Sequence, residues 1–424
     1  MAAPKKYVKV NGVMKLNPEY KRWKEAQSGG TVPATTVARP DQALPVVSSM
    51  EDHEKLNEGV GQDVPLAEST NATIEMMQEP EISLEAGMQP DEMVDKLGAI
   101  LNKYEVPMGL MNKLMMLSEY QSLEFIIDDS GSMVCQSDTI NPTTKKMNTR
   151  WEEAQQRLKE MVEILAYVPF QQIGIEFLNR KDRVSLMRQD GQTPESFLQM
   201  AFSQIDAVFR RGPAGSTPAL EKLQESLIRG SGATLARYFF GDGTPNGGVV
   251  AQQEIIRILK SRQDPQGNPI TFISVTNQDA DVEWMKDAEE VVPYCSESDD
   301  FGDEMKEVLR DQGAALPYTK GFHLICQLVA AMNPDDLDAM DESVPFTKAT
   351  LDNLLGIQSN EESYRHYFTC FTQAQAARTV EGPADQLKKS FQWNYNEFLR
   401  APIANQIAQV GEMKQQLARL EQRA

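Results

Sequence analysis

Four short apolar runs organise the middle of the chain: LEFII at 123–127, IGIEFL at 173–178, ARYFF at 236–240 and ITFISVT at 270–276. The segments between them have helical period. Trp151, Ala154, Leu158, Met161, Val162 and Leu165 share one face, as do Leu220, Leu223 and Leu227, and Ile255, Ile256, Ile258 and Leu259 crowd a third. Met93, Leu97 and Leu101, then the run 108–117, add two leading helical segments. Short buried strands that alternate with helices cannot pair as hairpins; they predict an α/β fold, a doubly wound, mostly parallel sheet flanked by helices. Ligands of such sheets sit where strands end, at the carboxyl edge. Beyond Phe322 the chain reads as helical. Ile403, Ile407, Val410, Met413, Leu417 and Leu420 form a seam too short for a coiled coil, which predicts a helix packed on its own domain, with self-association as the alternative.

The flanks have a different composition. Residues 1–30 carry seven basic and two acidic side chains, whereas 51–95 carry 13 Asp/Glu against Lys55 alone. We read 1–27 as a basic segment, either a fraying terminus or a docking peptide with a short helix at Pro18–Gln27 bearing Tyr20 and Trp23. We read 28–89 as an acidic flexible linker, 90–342 as the α/β domain and 343–424 as a helical region. With 62 acidic against 42 basic residues, the net charge of −20 argues against nucleic acid as a partner and against an anionic membrane. No apolar run approaches the length of a membrane span, and MAAPKKYVKV lacks the apolar core of a signal peptide. Four scattered cysteines without a CxxC pair predict reduced thiols and a cytoplasmic protein.

Three oxygen-rich segments stand at strand ends or helix starts: Asp128-Asp129-Ser130-Gly131-Ser132, Gly215-Ser216-Thr217-Pro218 and Gly241-Asp242-Gly243-Thr244-Pro245. Carboxylates with hydroxyls, and no His or Cys among them, select Mg²⁺ or Mn²⁺ over zinc or copper. Each segment also has a plain reading. DDSGS suits a turn, Thr217-Pro218 suits a helix N-cap followed by Pro, and the Gly241–Gly248 stretch suits a tight turn or a loose phosphate loop.

Taken in order, Asp128-x-Ser130-x-Ser132, Thr217 before Pro and Asp242-Gly243 after a strand resemble the metal-ion-dependent adhesion site (MIDAS) of von Willebrand factor type A (vWA) domains. The resemblance covers roughly 118–330. IIDDSGSM, TRWEEA at 149–154, IEFLN at 175–179 and EVLRDQG at 307–313 are similar to an intracellular, fungal-type branch of that family. It implies that Ser130, Ser132 and Thr217 touch a Mg²⁺ ion, with Asp128 and Asp242 acting directly or through water. It also implies that an Asp or Glu of a protein partner completes the coordination. Two departures stand out. A long polar loop, VCQSDTINPTTKKMNT, follows Met133 and is expected to shape specificity, and Ser216 beside Thr217 leaves open which hydroxyl faces the ion.

Other residues read as structural. His323 lies in an apolar run, Met111, Met115 and Met116 are core fillers, and Pro334-Asp335-Asp336 with Asp338 and Asp341 lacks the Gly and Glu of a calcium loop. The expected function is a non-enzymatic, Mg²⁺-dependent protein-binding adaptor or scaffold. The rivals are a structural subunit with incidental metal and a phosphoryl-transfer or hydrolytic enzyme. The last would have to draw its cations from Lys145, Lys146, Arg210 and Arg211 and would lack any nearby histidine.

Overall fold

The computed structural model describes residues 7–10, 13–16, 90–141, 143–170, 172–276, 278–332, 340 and 342–421. The expected helix at Pro18–Gln27, the linker 28–89 and the Asp335–Asp341 patch lie outside the described residues. Two short strands, β1 (Tyr7–Val10) and β2 (Val13–Leu16), pair antiparallel. After α1 (Pro90–Lys103) and α2 (Met111–Met115) come β3 (Ser122–Ile127), β4 (Gln136–Ile140), β5 (Met147–Thr149), α3 (Arg150–Leu165), β6 (Ile173–Phe177) and β7 (Arg183–Leu186). The chain continues through α4 (Pro194–Phe209), α5 (Ala219–Arg229), β8 (Leu235–Gly241), α6 (Val249–Lys260), β9 (Ile270–Ser274), α7 (Asp279–Glu289) and β10 (Cys295–Ser298). Helices α8 (Phe301–Gln312), α9 (Lys320–Val329), α10 (Lys348–Leu355), α11 (Glu361–Ala377), α12 (Pro383–Ser390), α13 (Tyr395–Arg400) and α14 (Ala404–Glu421) follow.

Six strands form one sheet in the order β10-β9-β8-β3-β6-β7, parallel throughout except for β7, which runs antiparallel on β6. The four apolar runs are its central strands. Alternation divides each strand between two cores. Leu123, Phe125 and Ile127 face one layer with α3, α4 and α9, while Ile126 faces the other with Leu223 of α5, Ile255 of α6 and Met285 of α7. The chain starts in the middle at β3, winds outward through β6 and β7, and returns to the other side of β3 as β8. The topological switch point, where doubly wound sheets open a crevice, therefore lies between the carboxyl ends of β3 and β8.

Sequence pattern misreads one segment. The polar stretch after Met133 is no loop but an antiparallel hairpin, β4–β5. Its polar composition hides it because its support is tertiary. Thr139 Oγ1 donates to Glu153 Oε2 of α3 (3.2 Å), and Asn148 Nδ2 donates to Thr139 Oγ1 (3.0 Å). Thr149 then opens α3 with a capping box, its hydroxyl accepting from Glu152 N while Glu152 Oε2 accepts from Thr149 N.

The helical C-terminal region shares the larger core. Phe368 of α11 packs with Tyr364, Phe371 and Phe398, and Val410 and Met413 of α14 are buried, whereas Ile403 and Ile407 of the same seam are 40% and 46% exposed. His323 is a buried core histidine whose Nδ1 lies 3.0 Å from the Tyr318 hydroxyl; burial holds its imidazole well below the ordinary range. Among the described residues no helix is long and apolar enough to cross a membrane.

Gly109 clasps the leading turn to the C-terminal helices: a Cβ there would lie 2.0 Å from Asn353 O and 2.5 Å from Leu354 O at the end of α10. Gly109→Ala is expected to lower stability by about 1–3 kcal/mol, read from the urea midpoint. Gly411→Ala, with open space around it inside α14, is expected to raise stability by about 0.5–1 kcal/mol. Equal midpoints for the two variants would show that the clasp does not exist.

Candidate metal centre

Both carboxylates expected at the site stand at the switch point. Asp128 follows β3 directly and Asp242 follows β8 directly, and Asp128 N donates to Phe240 O (2.9 Å), locking the two strand ends together. The Ser-Gly-Ser turn then folds back over them. Ser130 N donates to Asp128 Oδ1 (2.7 Å), the Ser130 and Ser132 hydroxyls lie 2.9 Å apart, and Ser132 Oγ donates to Asp242 Oδ1 (2.9 Å). Asp128, Ser130, Ser132 and Asp242 thus form one connected set of oxygens, closed below and open to solvent at Ser132.

Thr217 is not hydrogen-bonded into this set. Its hydroxyl makes no hydrogen bond to the other four residues among the described residues. The loop that carries it is held close by backbone bonds: Gly131 N donates to Gly215 O (3.0 Å) and Ala214 N to Asp129 O (2.7 Å). Gly215 has φ +125°, and a Cβ there would lie 2.7 Å from the Asn179 side chain, so the approach requires glycine. Helix α5 begins only at Ala219, with Pro218 at its cap and no side-chain cap bond, so Thr217 is not the N-cap that its sequence suggests. Asn246 brackets the pair: its Oδ1 accepts from Thr217 N (3.1 Å), and its Nδ2 donates to Ser216 Oγ (2.9 Å). The Ser216 hydroxyl is therefore engaged and that of Thr217 is not.

The cations that serve the site are ones the sequence did not single out. Arg150, first residue of α3, makes a buried ion pair with Asp242, Nη1 to Oδ2 at 2.9 Å, with the two side chains 6% and 0% exposed. Arg180 pairs with Asp129, Nε to Oδ2 at 3.0 Å, and stacks 3.9 Å over the Phe177 ring. Asp129 Oδ1 also accepts from Asn179 N (2.8 Å). Lys145 and Lys146 lie on the hairpin instead, while Arg210 and Arg211 are exposed, Arg211 facing Asp182 at 3.4 Å. Only the first position of a helix whose next residues are buried hinted at Arg150. Its partner is 92 residues away, beyond any local pattern.

Among the described residues Asp128 has no such partner. It is fully buried, and its Oδ2 makes no hydrogen bond to any of them. Burial, and then the neighbouring Asp242 carboxylate, push it up to about 7. An orphaned, shielded carboxylate oxygen beside two hydroxyls and a second carboxylate fits a hard cation with oxygen ligands. No group of three or more His, Cys, Asp or Glu that would hold a metal occurs among the described residues, so a cation here depends on the serine hydroxyls. Neither a family model nor a curated protein matches the sequence.

The Arg150–Asp242 pair yields a direct test. In EDTA, Arg150→Met is expected to cost about 3–5 kcal/mol in urea unfolding, because it strands a buried carboxylate. Adding Asp242→Asn to Arg150→Met is expected to recover most of that loss. Additive losses in the double variant would mean that the two groups do not depend on each other.

Proposed function

We propose that the chain is a cytoplasmic, non-enzymatic adaptor that binds a protein partner through Mg²⁺, with Mn²⁺ as a substitute, held by Asp128, Ser130, Ser132, Asp242 and Thr217. A dication there would supply a Lewis-acidic position for an incoming carboxylate oxygen. The observation that carries this reading is the local charge. Asp129 is paired with Arg180 and Asp242 with Arg150, which leaves Asp128, raised to about 7, as the carboxylate of the set without a cation among the described residues; once ionised, it gives the set one net negative charge. A dication would turn that into one net positive charge in a buried setting, where an unbalanced charge is costly. An Asp or Glu of a partner restores neutrality. Asp128 and the serines provide the anchoring oxygens, Arg150 withholds one Asp242 oxygen from the ion, and the exposed Ser132 marks the open side.

This reading resembles the mode of vWA-type adhesion sites, and it needs no bond to be broken. A structural-subunit role has one observation in its favour: Ile403 and Ile407 at the start of the α14 seam are exposed and open to self-association.

Full-length protein with Mg²⁺ is expected to melt at a higher temperature than in EDTA, by about 2.7 kcal/mol of stabilisation at a hundredfold excess over Kd. Asp128→Asn and Ser130→Ala are expected to abolish the difference. A pull-down from native cell extract is then expected to retain a partner only with wild type and Mg²⁺. Partners kept equally in EDTA and by both variants would assign the work to the helical regions.

A further inference from the structure

A second polar cavity, of about 250 Å³, lies beside the edge strand β10, away from the switch point. Its acidic wall includes Glu289, Glu297, Asp299, Glu304 and Glu307, and the cationic residue among its lining is Lys286. Lys286 is committed to Asp299. The Ser296 hydroxyl is committed to Glu289 Oε1 (3.2 Å), and Ser298 Oγ accepts from Gln327 Nε2 (3.2 Å). Glu297 is partly exposed as a residue, yet its Oε1 is shielded from solvent and has no hydrogen-bond partner among the described residues. A shielded carboxylate oxygen without a donor is costly, and a charged donor is the group that relieves it. Burial, then Asp299, raise Glu297 well above the carboxylate range, and burial lifts Glu304 to about 7, so both acids lack sufficient positive charge.

A metal ion is a poor match. No three acids converge to hold one among the described residues, and the lining also includes the apolar side chains of Val308 and Met340. An N–H donor on a hydrocarbon stem satisfies both kinds of lining. We propose that this cavity binds an alkylammonium or guanidinium group, with Glu297 as the principal acceptor and the stem lying on the apolar side chains. A free polyamine and a lysine or arginine side chain of another protein share this chemistry.

The test is calorimetric titration of the full-length chain with spermidine, tetralysine, CaCl2 and, at matched ionic strength, NaCl. Spermidine or tetralysine is expected to bind with a saturable isotherm, and the tighter of the two identifies the source as polyamine or protein. Glu297→Gln is expected to weaken that binding about tenfold. Lys286→Gln, which removes the resident cation, is expected to tighten it several-fold, a gain that a merely damaged protein would not show. Unchanged binding in Glu297→Gln, weaker binding in Lys286→Gln, or a preference for CaCl2 over both amines would each overturn the proposal.

Discussion

Two carboxylates, Asp128 and Asp242, are sealed at the ends of adjacent parallel strands, and the surrounding architecture answers the charge they bring. The switch between β3 and β8 places them next to each other, because each is the first residue beyond its strand. Like charges at such a distance in a buried setting repel, so at least one needs a cation. Arg150 meets Asp242 because the capping box at Thr149 starts α3 at that point. The β4–β5 hairpin delivers the chain there, with Arg150 N donating to Cys135 O (2.9 Å). The hairpin and the helix start are therefore parts of the electrostatics of the site, whatever else they contact.

A second set of charges runs through the sheet on the α5 side. Glu124 of β3, Glu176 of β6 and Arg237 of β8 occupy positions that alternation gives to the core. Arg229 of α5 reaches Glu124 Oε1 (2.5 Å) and Glu176 Oε1 (2.6 Å), and Arg237 Nε donates to Ser226 Oγ (2.7 Å). Burial acts to raise Glu124, but hydrogen bonds from Ser226 and Arg229 outweigh it and hold the carboxyl below its ordinary range. Such networks contribute little net stability over an apolar core, but they tolerate few alternative packings. Here the network pins the last turns of α5, the helix that follows the Gly212–Pro218 loop. The position of Thr217 in the loop before α5 is thus referred back to the sheet by the ion pairs of Arg229.

Most of the sheet was legible because its central strands are short runs dominated by apolar residues, with Glu124, Glu176 and Arg237 as their charged interruptions, and such runs survive many choices of neighbour. Strand β10, reading CSES, and β7, reading RVSL, were not, because edge strands are short and keep polar residues. The hairpin was missed for a related reason: its strands are specified by Glu153 and by hydroxyl-to-amide bonds across its own width. The acid and serine members of the candidate site could be named from spacing, since each sits at the end of a strand or in the turn that follows. Arg150 and Arg180 could not be named. Their roles arise from contacts 92 and 51 residues away, which only the wound topology creates.

The chain carries a net charge of −20, yet its switch point is nearly balanced, and that contrast bears on what the site admits. A strongly acidic surface repels acidic partners at long range, with reach set by the Debye length of about 8 Å in physiological salt. The partner carboxylate proposed above would therefore have to gain at short range more than it loses on approach. Direct contact with Arg150 is blocked, because that guanidinium is buried against Asp242. The exposed basic residues Lys181, Arg210 and Arg211 lie on the loops after β6 and α4, the same loops that supply Asn179, Gly215 and Ser216 around the Asp128 turn. They gather basic side chains near the Asp128 turn, with Asp182 facing Arg211 among them.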